Sequence, residues 1–235
     1  FSNQYNAQGQ LTQKILAPYY TGPDGQGLQT LNYEYNIRGW LLGMNRDYLS
    51  GTAPAPGITG GNHFGFELRY DKASFTESSL AAGSGANYFN GNISSMLWKS
   101  CGDQELRKYD LSYDPVNRLL QAGFSQYTDG SFSQAAGINY NMKMGDGTHA
   151  ATAYDDNGNI LRMQQWGLTL GGSRQTDDLA YAYRPGSNKL ARVTENAAGG
   201  TPGLGDFTDG NTSGDDYQYD GAGNMIRDLN KHIIA

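Results

Sequence analysis

Aromatic or aliphatic residues alternate with polar residues over several short stretches of this chain. In LNYEYN, Leu31, Tyr33 and Tyr35 occupy every second position, and HFGFELRY and LAYAYR follow the same rule. Successive side chains of a β-strand point to opposite faces of a sheet. The alternation therefore predicts strands with an apolar or aromatic row on one face and polar groups on the other.

Each alternating stretch leads into a similar short turn, which a second apolar stretch follows. In YDDNGNILRM, from Tyr154 to Met163, an Asp at the start of the turn can accept a hydrogen bond from its own backbone two residues on. Gly or Asn near the end accepts the left-handed conformation that a tight hairpin needs. The pattern predicts a β-hairpin. It recurs from Tyr5, Tyr35, Tyr88, Tyr113, Tyr154, Tyr183 and Tyr219, with Tyr70-Asp71 as a further, degenerate candidate.

Subtracting the numbers of successive starting tyrosines gives spacings of 30, 53, 25, 41, 29 and 36 residues. This scatter indicates loops of different length inserted between repeated units. Residues 1–235 are predicted to form a single all-β array of hairpins, with inserted loops near 50–62, 81–87 and 196–216. Because one hairpin is marginal in water, each must bury its tyrosine row against its neighbours.

Composition narrows the classes of partner. The formal net charge is −6 and the pI is near 4.9, which argues against binding to nucleic acid and to anionic membrane surfaces. No apolar run approaches the roughly 18 residues of a membrane-spanning helix, so no transmembrane segment is predicted. The sequence begins at Phe1 without a signal-like segment, which favours a piece of a longer protein.

No catalytic, cofactor-binding or metal-binding residue is assigned from the sequence. His63, His149 and His232 are far apart and form no His-Glu-x-x-His motif, and Gly-x-Ser-x-Gly is absent. Cys101 is either a small buried apolar residue or a reactive thiol. No glycine pair continues into a phosphate-binding motif at the start of a helix.

Carboxylates and tryptophans leave further alternatives open. The stretch DDNGN at 155–159 is either a turn or an oxygen-ligand calcium loop. An acidic cluster is either a solvated loop or a cation site; it comprises Asp206, Asp209, Asp215 and Asp216. The tryptophans Trp40, Trp98 and Trp166 either pack in the sheet or form platforms for sugar stacking.

The repeated Tyr-Asp-x-x-Gly-Asn-Leu/Ile/Met pattern, as in YDDNGNI and YDGAGNM, resembles the YD-repeat of the Rhs (rearrangement hotspot) family. That family includes bacterial polymorphic toxins, cocoon subunits of insecticidal toxin complexes, and teneurins. The likeness runs from Tyr5 to about Asn230 and is closest to the secreted bacterial branch. It implies a continuous antiparallel sheet that spirals into a hollow shell around a toxic C-terminal domain. The downstream Asp-Pro-x-Gly-Leu core motif and a toxin domain are absent from these 235 residues.

The resemblance predicts a non-catalytic wall segment of a Rhs/YD-repeat shell, secreted or at the bacterial cell surface. Its partners would be the adjoining repeats and an encapsulated C-terminal effector, with a secretion or delivery apparatus as a further candidate. Two alternatives from other classes are a cell-surface adhesion or glycan-binding module and a hydrolase working in a β-sheet groove.

Overall fold

The computed structural model describes residues 1–19, 28–51, 62–71, 86–134, 137–197 and 206–234. The paired strands are antiparallel, and the fold is all-β, as the alternation predicts. Short helical segments are confined in these ranges to a 3-10 turn at Arg46–Tyr48 and helix α1 at Ala150–Ala153. No helix among the described residues is long and apolar enough to span a membrane.

The described residues contain sixteen strands, which form two sheets. The main sheet has the order β1-β2-β3-β4-β5-β6-β7-β8-β10-β11-β12-β13, with β9 paired to β8, and the second has the order β14-β15-β16. The strands are β1 (Ser2–Tyr5), β2 (Leu11–Leu16), β3 (Gln29–Tyr35), β4 (Leu41–Met44), β5 (Phe64–Arg69), β6 (Ser95–Ser100), β7 (Leu106–Tyr113), β8 (Leu119–Thr128), β9 (Ser131–Ser133), β10 (Met142–Met144), β11 (Arg162–Thr169), β12 (Gly172–Tyr183), β13 (Leu190–Glu195), β14 (Tyr217–Tyr219), β15 (Met225–Asp228) and β16 (Ile233–Ile234). Consecutive strands pair in chain order almost throughout, both where a short turn joins them and where a longer segment does.

The chain divides into two compact units, residues 1–111 with 124–136, and residues 112–123 with 137–235. The core of the first unit is built on Leu49 and Leu97, which are 3% and 1% exposed. The second unit has two apolar clusters. One contains Leu120, Met144 and Ala153, and the other contains Leu179, Val193 and Tyr217.

Strand β5 differs from the simple expectation of a buried aromatic row. Gly65, Glu67 and Arg69 are its buried residues, whereas Phe64 and Phe66 are only half-buried. The segment that follows β4 accounts for this, because a Cβ placed at Gly65 would lie 2.5 Å from the carbonyl oxygen of Asn45. On the same face, Arg46 forms a 3.0 Å ion pair with Glu67. Polar partners thus compensate the burial of charged groups on this strand.

Tyr88 is not the starting tyrosine of its hairpin, contrary to the sequence prediction. Tyr70 follows β5 directly, and the backbone N–H of Tyr88 donates to its carbonyl oxygen at 2.8 Å. The repeat therefore starts at the candidate Tyr70, and its turn carries a long insertion. With Tyr70 in place of Tyr88, successive spacings become 30, 35, 43, 41, 29 and 36 residues, which is a more regular series.

The predicted inserted loops lie only partly within the described residues. Residues 52–61, 72–85 and 198–205 fall outside them, so the insertions near 50–62 and 81–87 and the first half of 196–216 remain predictions. Residues 206–216 are described and carry no strand.

Candidate functional site

The hairpin turn at Asp155 has a closed set of hydrogen bonds. Oδ1 of Asp155 accepts the backbone N–H groups of Asn157 at 2.9 Å and of Asn159 at 2.8 Å. Its Oδ2 accepts from Nδ2 of Asn159 at 2.8 Å. Gly158 has φ +85°, a conformation that side chains other than Gly, Asn and Asp rarely adopt. Both carboxylate oxygens are engaged in the turn, which supports the turn interpretation of DDNGN over a calcium loop.

The same hydrogen bonds recur at four other turns. In each, the side-chain oxygen of the first turn residue accepts the N–H groups of the residues two and four positions later; the first residues are Asn6, Asn36, Asp114 and Asp220. The turn after Tyr183 is one residue longer and begins with Arg184, whose N–H donates to the carbonyl of Lys189 at 2.9 Å. The recurring turn geometry positions the tyrosine before each turn and the apolar residue after it.

A side-chain contact links five of the hairpins to the preceding one. The tyrosine hydroxyl of one hairpin donates to the backbone carbonyl of the first apolar residue after the preceding turn, at 2.6–3.0 Å. These contacts, here called the seam, are Tyr35 to Leu11, Tyr70 to Leu41, Tyr154 to Leu119, Tyr183 to Ile160 and Tyr219 to Leu190.

The seam lies where strand pairing ends. The paired ladders end at Gln13, Gly43, Gln121 and Arg162, each two residues beyond the accepting carbonyl. A buried backbone acceptor without a partner is costly, and the tyrosine hydroxyl supplies the missing donor. Burial raises the pKa of Tyr70, Tyr154 and Tyr183, so these hydroxyls keep their protons at neutral pH.

Adjacent turns also touch. A Cβ at Gly91 would lie 3.3 Å from the ring of Trp40, and one at Gly223 would lie 3.6 Å from the side chain of Lys189. Nδ2 of Asn159 donates to Oδ1 of Asn188 at 2.9 Å. The hairpin that starts at Tyr183 thus contacts its predecessor through the strand ladder, the tyrosine hydroxyl and the turn.

The three histidines have separate environments. Nδ1 of His63 lies 3.4 Å from Sγ of Cys101, a pairing in which an imidazole could accept the thiol proton. Nδ1 of His149 lies 2.6 Å from Oδ2 of Asp146, whose pKa is lowered chiefly by hydrogen bonding to His149. His232 is an exposed residue with φ +55°. The Cys101–His63 contact joins positions 38 residues apart, and no sequence motif predicts it.

The three tryptophans are half-buried and pack against protein groups. The ring centroid of Trp40 lies 5.1 Å from that of Tyr70, and Trp98 stacks on Tyr109 at 5.2 Å. Trp166 has Nζ of Lys143 at 5.7 Å from its ring centroid. These contacts favour the packing interpretation over sugar-stacking platforms.

The acidic cluster predicted between 206 and 216 separates in space. Oδ1 of Asp209 accepts the N–H of Asn211 at 3.1 Å, and Asp215 lies 3.5 Å from Arg184. Asp216 is fully buried among neutral donors. Asp206 instead meets two carboxylates that sequence reasoning did not single out, Asp177 and Glu195. The available signal was the pair of aspartates inside the strand sequence TDDLAYAY, where a buried carboxylate is expensive.

No protein-family model matches the chain, and no curated protein matches it significantly. The resemblance to YD-repeats therefore stays a prediction from the sequence pattern. Functional inference rests on the hairpin geometry and on the seam.

Proposed function

We propose that this chain is a non-catalytic wall segment of a Rhs/YD-repeat shell, which encapsulates a C-terminal effector within a larger secreted bacterial protein. The observation that carries the proposal is the seam. The same tyrosine-to-carbonyl contact recurs between five pairs of hairpins, although the turn lengths and insertions differ. A repeated contact between successive units is what an extensible wall requires, because each unit completes the hydrogen bonds of the one before it.

The open edge at β1 supports continuation of the array. Tyr5 occupies the repeat position, yet it is 60% exposed and its hydroxyl accepts from Nδ2 of Asn3 at 3.1 Å. The N–H of Asn6 donates inward to Gln10, so the alternation along β1 directs the N–H groups of Asn3 and Tyr5 away from β2. A further hairpin added at this edge would gain backbone hydrogen bonds and a carbonyl partner for Tyr5.

Packing of the half-buried tryptophan rings against other protein groups favours a wall segment over a glycan-binding module. Sugar stacking needs an accessible aromatic face, whereas Trp40 and Trp98 already contact other rings. The wall needs no bond chemistry; its contribution is a physical barrier made from paired strands.

The test uses the full-length polypeptide that carries this chain and its downstream effector. We expect limited trypsin digestion to spare the effector region in the wild type, and to cleave it once the seam is weakened by the triple change Tyr70→Phe, Tyr154→Phe and Tyr183→Phe. Tyr19→Phe is the matched control, because Tyr19 is 95% exposed. Cleavage of the effector region in the wild type at the rate of the isolated effector would rule out encapsulation.

A second readout concerns Tyr5 itself. In the 235-residue chain Tyr5→Phe should leave stability unchanged, whereas in the longer polypeptide it should lower stability by about 1 kcal/mol, as expected for a lost hydrogen bond. Equal effects in both contexts would contradict extension of the seam at β1.

A further inference from the structure

Three carboxylates meet in the second unit, and the hairpin repeats do not depend on them. Asp177 lies on β12, Glu195 ends β13, and Asp206 begins the described segment that leads to β14. One oxygen from each lies within 4.8 Å of the other two. Asp177 is 4% exposed, and the side chain of Asp206 is also 4% exposed.

Some of these oxygens are held by protein donors. Oδ1 of Asp177 accepts the N–H of Phe207 at 2.9 Å, and its Oδ2 lies 3.1 Å from the hydroxyl of Thr176. Oε1 of Glu195 accepts the N–H groups of Asp178 and Ala197 at 2.9 and 2.6 Å. These bonds orient two of the three carboxylates.

The remaining oxygens have no such donors. Oε2 of Glu195 and both carboxylate oxygens of Asp206 are buried, and none receives a hydrogen bond from the part of the chain that the structure describes. Nη2 of Arg174 lies 3.7 Å from Oδ2 of Asp206, beyond hydrogen-bond distance. Within the described residues, three carboxylates with one arginine beside them place an excess of acidic groups in a buried site, which is costly without a further cation.

We propose that Asp177, Glu195 and Asp206 form a calcium-binding site. This inference does not depend on the proposed function as a wall segment. The ligands are all oxygens, the type that hard cations prefer. The three oxygens lie within 4.8 Å of one another, close enough to share one ion. A site with three carboxylates favours Ca²⁺, which accepts many protein oxygens, over Mg²⁺, which usually keeps several waters and binds through one or two carboxylates.

Calcium at this site would join three parts of the chain that are distant in sequence. It would tie the middle of β12 and the end of β13 to the segment that begins at Asp206. A ligand that binds only the folded state stabilises it, and the effect grows with the ligand concentration. Calcium is therefore expected to raise the melting temperature, by more at higher calcium concentrations.

The experiment compares three forms of the 235-residue chain: wild type, Asp206→Asn and Asp209→Asn. Asp209→Asn is the matched control, since it removes the same charge from the same segment and keeps a side-chain acceptor for the N–H of Asn211. Thermal unfolding is followed in EDTA, in CaCl2 and in MgCl2, with KCl added to equalise ionic strength. Terbium luminescence, with displacement by calcium, reports binding independently of stability.

At calcium concentrations that saturate the site, we expect the melting temperature of the wild type and of Asp209→Asn to rise by about 5 °C. Asp206→Asn should lose both this rise and the terbium signal. In EDTA it should be at least as stable as the wild type, because one of three mutually repelling charges is gone.

Four results would overturn the calcium site. They are no calcium-dependent shift in the wild type, an equal shift in Asp206→Asn, an equal shift with MgCl2, and a lower melting temperature of Asp206→Asn in EDTA. The last would mean that the Asp206 carboxylate is stabilised by protein donors.

Discussion

Asp206 and Asp216 lie ten residues apart in one acidic segment, and their side chains are both buried, but their surroundings are opposite. The carboxylate of Asp216 accepts from the N–H of Val193 at 2.8 Å and from the side-chain amides of Asn211 at 2.9 Å and Asn230 at 3.1 Å. Asp206 receives no hydrogen bond from the described residues and faces two other carboxylates.

The difference shows that burial alone does not define the role of a carboxylate. Neutral donors disperse the charge of Asp216, which lets it fasten β13 to the segment before β14 without a counter-ion. Asp206 has no hydrogen-bond donor among the described residues and shares Arg174, at 3.7 Å, with two further carboxylates nearby, so a bound cation would complete the compensation. The two carboxylates differ in the number of protein hydrogen-bond donors that reach them. The variants below change such donor–acceptor pairs.

The largest effect is expected at Asp216. Asp216→Ala would leave the N–H of Val193 and two asparagine amides without their acceptor in a buried site, which should lower the free energy of unfolding by about 3 kcal/mol. Urea denaturation at pH 7 measures this loss.

The neighbouring residue provides the control for this substitution. Asp215→Ala should cost less than about 1 kcal/mol, because its side chain is 53% exposed and 3.5 Å from Arg184. Similar losses for the two variants would contradict the view of Asp216 as an anchor.

A smaller effect is expected in the seam, where a neutral donor serves a backbone carbonyl. Tyr183→Phe removes the hydroxyl that donates to Ile160 at 2.9 Å and should lower the free energy of unfolding by about 1 kcal/mol. Tyr5→Phe is the control in the isolated chain, since the Tyr5 hydroxyl only accepts from exposed Asn3. If urea denaturation gives equal midpoints for both variants, the seam hydroxyls do not stabilise the fold.

The parts of this fold that follow local rules could be predicted from the sequence. Alternation and turn chemistry identified the strands on both sides of Asp220 and the strand after Asp155, because both signals lie within a few neighbouring residues. Before Asp155 the structure has helix α1 and a single β-bridge from Tyr154 to Ile160 in place of a strand. The sequence analysis placed the start of this repeat at Tyr88 and kept Tyr70 only as a degenerate candidate, because the insertion separates Tyr70 from its own turn.

Contacts between distant segments could not be predicted in the same way. The seam joins a tyrosine to a carbonyl 23–35 residues earlier, and nothing in either residue type specifies that partner. The carboxylate cluster depends on how Asp206 meets two strands, and Asp206 was instead grouped with its sequence neighbours Asp209, Asp215 and Asp216. Residue identity predicted the turns, whereas strand register determines both long-range sites.

The smallest effect is expected from acid titration of the turn aspartates Asp155 and Asp220, which have donors like those of Asp216 but are only half-buried. Hydrogen bonding by the side chain of Asn159 lowers the pKa of Asp155 from its ordinary 3.8, and Asn224 does the same for Asp220. A carboxyl whose pKa is lower in the folded state binds fewer protons there than in the unfolded chain. Its stabilising contribution is therefore complete above the unfolded pKa and is lost as the pH falls through the folded pKa.

Acidification below about pH 4 should accordingly lower the melting temperature, and the decrease should be smaller in Asp155→Asn. Asparagine keeps the side-chain oxygen that accepts the N–H groups of Asn157 and Asn159, as Asn6 and Asn36 do in their own turns, but it does not titrate in this range. Thermal melts from pH 5 to pH 2 on wild type and variant measure the difference. Superimposable pH profiles would mean that the Asp155 charge adds nothing to the turn beyond its oxygen acceptor, and the donor argument would then hold only for buried carboxylates such as Asp216.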